Sequence, residues 1–159
     1  VEDIVAFTRR LAPLGLHLQV HFDSSLIHGL AAPLAQSAVP VVIDHMGRVD
    51  AGLGAGHEDF AALRALLRNP LFRVKVSGID RISRPLPPHG YADGIALARL
   101  LVDEVADRCL WGSDWPHPNH THVPDDGALV DAIARIAPDA SVREQLLVRN
   151  PREFYRFEV

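Results

Sequence analysis

The residues able to do chemistry gather at four places, each just after a short aliphatic or alternating run. Residues 16–22 alternate apolar and polar positions and end at His21, with Asp23 close by. Residues 39–43 are almost wholly apolar and lead into Asp44 and His45, with Arg48 behind. Residues 72–76 alternate again and are followed by Ser77, Arg81 and Arg84, while residues 109–112 lead to Ser113 and Asp114. Imidazole and carboxylate together suit proton transfer, and guanidinium suits a carboxylate-bearing substrate because its planar fork matches the two oxygens.

Asp114 lies in Trp111-Gly112-Ser113-Asp114-Trp115-Pro116-His117-Pro118. Between two tryptophans at a strand end, its carboxyl would be partly desolvated, which raises a carboxyl pKa toward the range of a general base. It could equally ligate a divalent metal or cap the next turn. His45 could polarise a carbonyl, ligate a metal, stabilise an oxyanion or be a satisfied buried group. His21 has the same alternatives, with His17 and Gln19 on its side of the strand. Arg48 and Arg81 are candidate anion grips, whereas Arg84 reads as solvated surface. His117, His120 and His122 sit close together without acidic or cysteine partners, so no metal site is assigned to them.

These groups need a scaffold that brings strand ends together. Residues 2–14 carry helix-spaced apolar positions and stop at Gly15. Further helical patterns cover 59–68, 95–105, 129–136 and a segment begun by a Ser141/Glu144 capping box, with a closing turn at 150–155. Residues 79–90 read as a long proline-rich loop, and 113–124 as a second one rich in His and Pro. Strands alternating with helices imply a parallel sheet, whose ligands lie at the carboxyl ends of the strands. Two architectures remain: a small doubly-wound sheet, or half of a (β/α)8 barrel, which closes with about 250 residues.

The whole chain of 159 residues reads as a single α/β domain. A net charge of −4 favours neither nucleic acid nor anionic lipid as a partner, and no apolar run approaches the roughly 20 residues of a membrane span. The single Cys109 cannot form an internal disulfide, and no leader pattern precedes the first helix, so the expected location is cytoplasmic. The nine histidines raise the weight of a catalytic or metal site.

Val41–Arg48, Lys75-Val76-Ser77-Gly78, Trp111–Pro118 and Pro124-Asp125-Asp126-Gly127 resemble the amidohydrolase superfamily, in particular the branch containing the 2-pyrone-4,6-dicarboxylate lactonases. The likeness runs from about residue 16 to residue 157. It implies a TIM-type (β/α)8 barrel hydrolase of which this chain is the C-terminal half, strands five to eight. By that resemblance Asp114, closing the eighth strand, activates water, and His45, ending the sixth, binds or polarises the scissile carbonyl. Arg81 grips a substrate carboxylate, with Arg48, Ser77 and His117 as further substrate contacts. His21 ends the fifth strand, where the lactonase carries tyrosine and metal-dependent members carry histidine. The implied cofactor is therefore none, or one divalent metal, zinc first, on His21, His45 and Asp114.

The first-strand His-x-His pair of the family is absent, and His120-Thr121-His122 does not replace it. The expectation is a parent enzyme that opens a small, carboxylated lactone in aromatic breakdown, with negligible turnover by these residues alone. An aromatic-acid decarboxylase on the same scaffold and a non-catalytic half-barrel are the alternatives. Open barrel edges would favour a homo-oligomer.

Overall fold

The computed structural model describes residues 1–84, 90–118 and 123–157. Its strands are β1 (Leu18–Val20), β2 (Val41–Ile43), β3 (Phe72–Val76) and β4 (Cys109–Trp111), all parallel and paired in the order β1-β2-β3-β4. Val20 lies opposite Ile43, Ile43 opposite Val74, and Val76 opposite Trp111. Each strand is beside its successor, so among the described residues the order never reverses. A doubly-wound sheet binds its ligand at such a reversal, and that alternative has no crevice here.

The helices are α1 (Glu2–Leu11), α2 (Ile27–Leu34), α3 (Glu58–Leu66), α4 (Ile79–Ile82), α5 (Ala92–Val105), α6 (Asp126–Asp131), α7 (Ile133–Ile136), α8 (Ala140–Glu144) and α9 (Asn150–Tyr155). Because side chains alternate along a strand, register sorts them into two faces. Val41, Ile43, Phe72, Val74, Val76 and Cys109 share one face and form a core with Phe60 and Leu63 of α3 and with Leu101 of α5.

The other face mixes polar and apolar residues. Gln19, Val42 and Arg73 align across β1 to β3, and Lys75 aligns with Leu110. Here the Arg73 guanidinium lies 4.7 Å from the centre of the Phe154 ring. His17 packs against Phe154 and Tyr155 at 4.9 and 5.6 Å, so α9 covers the beginnings of the strands. Asn150 ties it there by donating to the Ala106 and Cys109 carbonyls at 2.6 and 2.7 Å.

Burial, reinforced by the Lys75 ammonium, lowers the pKa of His17. The unfolded chain therefore binds the proton more readily, and the stabilisation is complete above the unfolded pKa of about 6.5 and lost as pH falls through the depressed value. The urea midpoint is expected to drop between about pH 7.5 and 5.5, and His17→Gln to shrink that drop. An unchanged drop in the variant would assign the pH dependence to other groups.

Two sequence expectations are corrected. Residues 79–90 do not begin as loop: Ile79–Ile82 form α4, because Ile79 and Ile82 are both buried. Residues 85–89 of that segment, and residues 119–122 of the second loop with His120 and His122, lie outside the described residues. The cap of α8 is Asp139 rather than Ser141, since the carboxylate already accepts from the backbone N–H groups of Ser141 and Val142. Among the described residues, no helix is long and apolar enough to cross a membrane.

Candidate active site

The four strands deliver side chains to one edge of the sheet. His21 follows β1, Asp44 and His45 follow β2, Ser77 follows β3, and Asp114 stands three residues beyond β4. The chain leaves β2 through a left-handed turn, with φ of 45°, 51°, 65° and 51° at His45, Met46, Gly47 and Arg48. Each non-glycine residue in that region costs about 1–2 kcal/mol, so the surroundings must hold the turn. Met46, fully buried, anchors it in the core. Asp114 is also left-handed, at φ 69°.

His45 is the centre of the arrangement. Its Nδ1 lies 2.8 Å from the Ser77 hydroxyl, its Nε2 3.3 Å from Asp114 Oδ1 and 3.7 Å from Asp44 Oδ2. The His21 ring stands edge-on to it, 5.2 Å between centres. Burial lowers the His45 pKa, against the pull of the Asp44 and Asp114 carboxylates. The ring is thus neutral near pH 7, and two carboxylates beside Nε2 favour the tautomer with its proton there and Nδ1 accepting from Ser77. Gly78 makes room: a Cβ on it would sit 3.2 Å from the ring's Cγ and Nδ1, and its φ of 61° suits glycine.

Arg81 donates from Nε to Asp114 Oδ2 at 2.6 Å and from a terminal nitrogen to the Pro118 carbonyl at 2.7 Å. The expectation of an indole-shielded Asp114 is corrected by this contact. Trp115 is 75% exposed, and the carboxylate is covered by Arg81 and His45 instead. Arg48 pairs with Asp23 at 2.8 Å. Arg84, exposed as expected, pairs with Asp50 and shares a cavity of about 280 Å³ with Arg48 and Arg81.

Two substrate-contact expectations receive different surroundings. Ser77 is buried, and its hydroxyl is engaged with the His45 ring. His117 is buried and turns its Nε2 toward Asp126 of α6, 3.1 Å away. Asp44 carried no role in the sequence reading, yet it collects Gln19 Nε2 at 3.1 Å and Lys75 Nζ at 3.5 Å. Period-two alternation is the signal that could have found it, since Asp44 follows Val42 on the face of Gln19 and Lys75.

The donor atoms of His21, Asp44 and His45 all lie within 4.8 Å of one another. Two imidazoles and a carboxylate are a donor set that a divalent metal accepts. Asp44 Oδ1 is buried without a hydrogen bond, which fits such a role, although the Lys75 ammonium stands beside it.

A 4-sulfomuconolactone hydrolase of Hydrogenophaga intermedia is 43% identical over 87% of this chain and 46% of its own length. A 2-pyrone-4,6-dicarboxylate hydrolase of Comamonas testosteroni is 38% identical over 97% of this chain and 53% of its own. A crystal structure from Acinetobacter baumannii, assigned as a 2-pyrone-4,6-dicarboxylic acid hydrolase and holding citric acid, superposes with a TM-score of 0.80 at 27% identity. It covers 96% of this chain and 57% of that one. The chain thus spans about half the length of the curated relatives it matches. The amidohydrolase family profile matches residues 3–157, and the chain belongs to that family.

Proposed function

We propose that this chain supplies strands five to eight of a (β/α)8 hydrolase barrel, and that the assembled protein opens a lactone bearing anionic groups by attack of water. The observation that carries this reading is the meeting of His21, His45, Asp114 and Arg81 at the carboxyl edge of successive parallel strands. A barrel places its chemistry on that edge. The relatives named for lactone hydrolysis and the citrate-bearing neighbour support a small, anionic substrate.

In the proposed reaction Asp114 takes a proton from water as its oxygen attacks the lactone carbonyl. The His45 Nε2–H donates to the carbonyl oxygen as negative charge develops there. Collapse breaks the ring C–O bond, Asp114 returns its proton to the ring oxygen, and the products are an enol or alcohol and a carboxylic acid, which releases its own proton to water and leaves as the carboxylate. Arg81 passes from Asp114 to a substrate carboxylate as the substrate enters, which frees the base and orients the ring.

No cofactor is required by this scheme. A single divalent metal, zinc first, would be held by His21, His45 and a carboxylate from Asp44 or Asp114, and when bound it would acidify water and polarise the carbonyl. The open edges of β1 and β4 could also pair with a second copy. A two-fold closure would, however, set β3 opposite its own copy across the barrel, with Arg73 and Lys75 facing like charges. A different, complementing half suits the face better.

The test is ring opening of 2-pyrone-4,6-dicarboxylate and 4-sulfomuconolactone, followed by absorbance. The chain is assayed alone and mixed with the N-terminal half of the Comamonas testosteroni hydrolase. We expect turnover only by the pair. Turnover by the chain alone would overturn the half-site reading, no turnover by the pair the barrel reading, and release of carbon dioxide without ring opening the lactone reading.

A further inference from the structure

Three guanidinium-bearing residues, Arg48, Arg81 and Arg84, line one cavity of about 280 Å³, and Asp50 is the acidic residue on its wall. Arg81 links this cavity's wall to the candidate base, since its Nε donates to Asp114 Oδ2 at 2.6 Å. Arg84 stands three residues further on, past the end of α4, and is more firmly built in than its exposure suggests.

Its backbone N–H donates to Asp93, in the first turn of α5, at 2.5 Å. Its aliphatic stem crosses Gly52 so closely that a Cβ there would lie 2.8 Å from Cδ and 3.2 Å from Cγ. Its guanidinium is bonded to Asp50, whose other oxygen accepts from the Gly52 N–H at 3.0 Å. A guanidinium has five donors, and one carboxylate cannot use them all.

Resting on the lactone reading above, we propose that Arg84 is a specificity-determining residue that binds a second anionic group of the substrate, a carboxylate or sulfonate remote from the scissile carbonyl. Arg81 takes the anionic group near Asp114, and Arg84 takes the distal one. Asp50 holds the Arg84 head in place, so the fork is oriented before an anion arrives. A lactone with one anionic group uses Arg81 and leaves Arg84 with Asp50.

The KM values for 2-pyrone-4,6-dicarboxylate and for 2-pyrone-6-carboxylate, a pyrone whose one carboxylate stands beside the ring oxygen, test this in the chain assembled with the N-terminal half of the Comamonas testosteroni hydrolase. Arg84→Gln is expected to weaken the dicarboxylate by about tenfold or more, the size of one charge-assisted contact, and to leave the monocarboxylate unchanged. Gly52→Ala, which displaces the Arg84 stem, is expected to reduce the same preference with the fold intact by circular dichroism. Equal weakening of both ligands, or no weakening of either, would overturn the role of Arg84. Turnover of neither pyrone by the unaltered assembly would overturn the lactone reading, and this assignment with it.

Discussion

Replacing Asp114 by asparagine is expected to lower kcat for lactone opening by about 10²–10⁴-fold in any assembly of this chain that opens a lactone, with KM little changed. Asparagine keeps the shape of the carboxylate and can still accept from Arg81 Nε, the contact made at 2.6 Å. It cannot take a proton from water. The loss should therefore fall on the chemical step, and His45 should keep its contact with Ser77, which does not involve Asp114. Steady-state kinetics decide: a loss confined to KM would make Asp114 a binding residue, and an unchanged rate would move the base elsewhere, to His21 or Asp44 beside the His45 ring.

Truncating Phe72 to alanine is expected to destabilise the chain by about 3–5 kcal/mol in urea unfolding. Phe72 is fully buried, opens β3 and is paired in register with Val41 on the core face of the sheet. Removing the ring deletes contacts to several elements at once, and strands on two sides limit collapse around the hole. Phe157, 60% exposed, is the control, and its replacement by alanine should change stability by less than about 0.5 kcal/mol. The prediction has a functional side, because β3 carries Ser77, and Ser77 orients His45. Comparable small losses for both variants would mean that the strand contributes little to the core.

The strands and most helices were legible because their signals are local. Apolar positions alternate in residues 72–76 and recur at helical spacing in residues 95–105, and β3 forms over the first while α5 spans the second and begins three residues earlier. α4 was not legible, since Ile79–Ile82 are too short to show a period and are helical because α5 and the core bury them. The cap at Asp139 was obscured by a competing pattern two residues later, and the stronger acceptor prevailed.

Which residues could do chemistry was likewise written in the chain. His21, His45 and Asp114 stand after apolar runs, and parallel strands present such positions on one edge. Which partner each would take was not. That Arg81 covers Asp114 instead of an indole, that Ser77 serves His45, and that Asp44 collects Gln19 and Lys75 are contacts between residues 25 to 33 positions apart. Arg84 reads as an ordinary surface arginine until the bare backbone of Gly52 is placed beneath it, from a segment more than thirty positions earlier. Periodicity is encoded in neighbours along the chain, so the sequence by itself determined the elements, their order and the family. Pairing between strand ends depends on register and on the left-handed turn at His45–Arg48, and only the tertiary structure decided those.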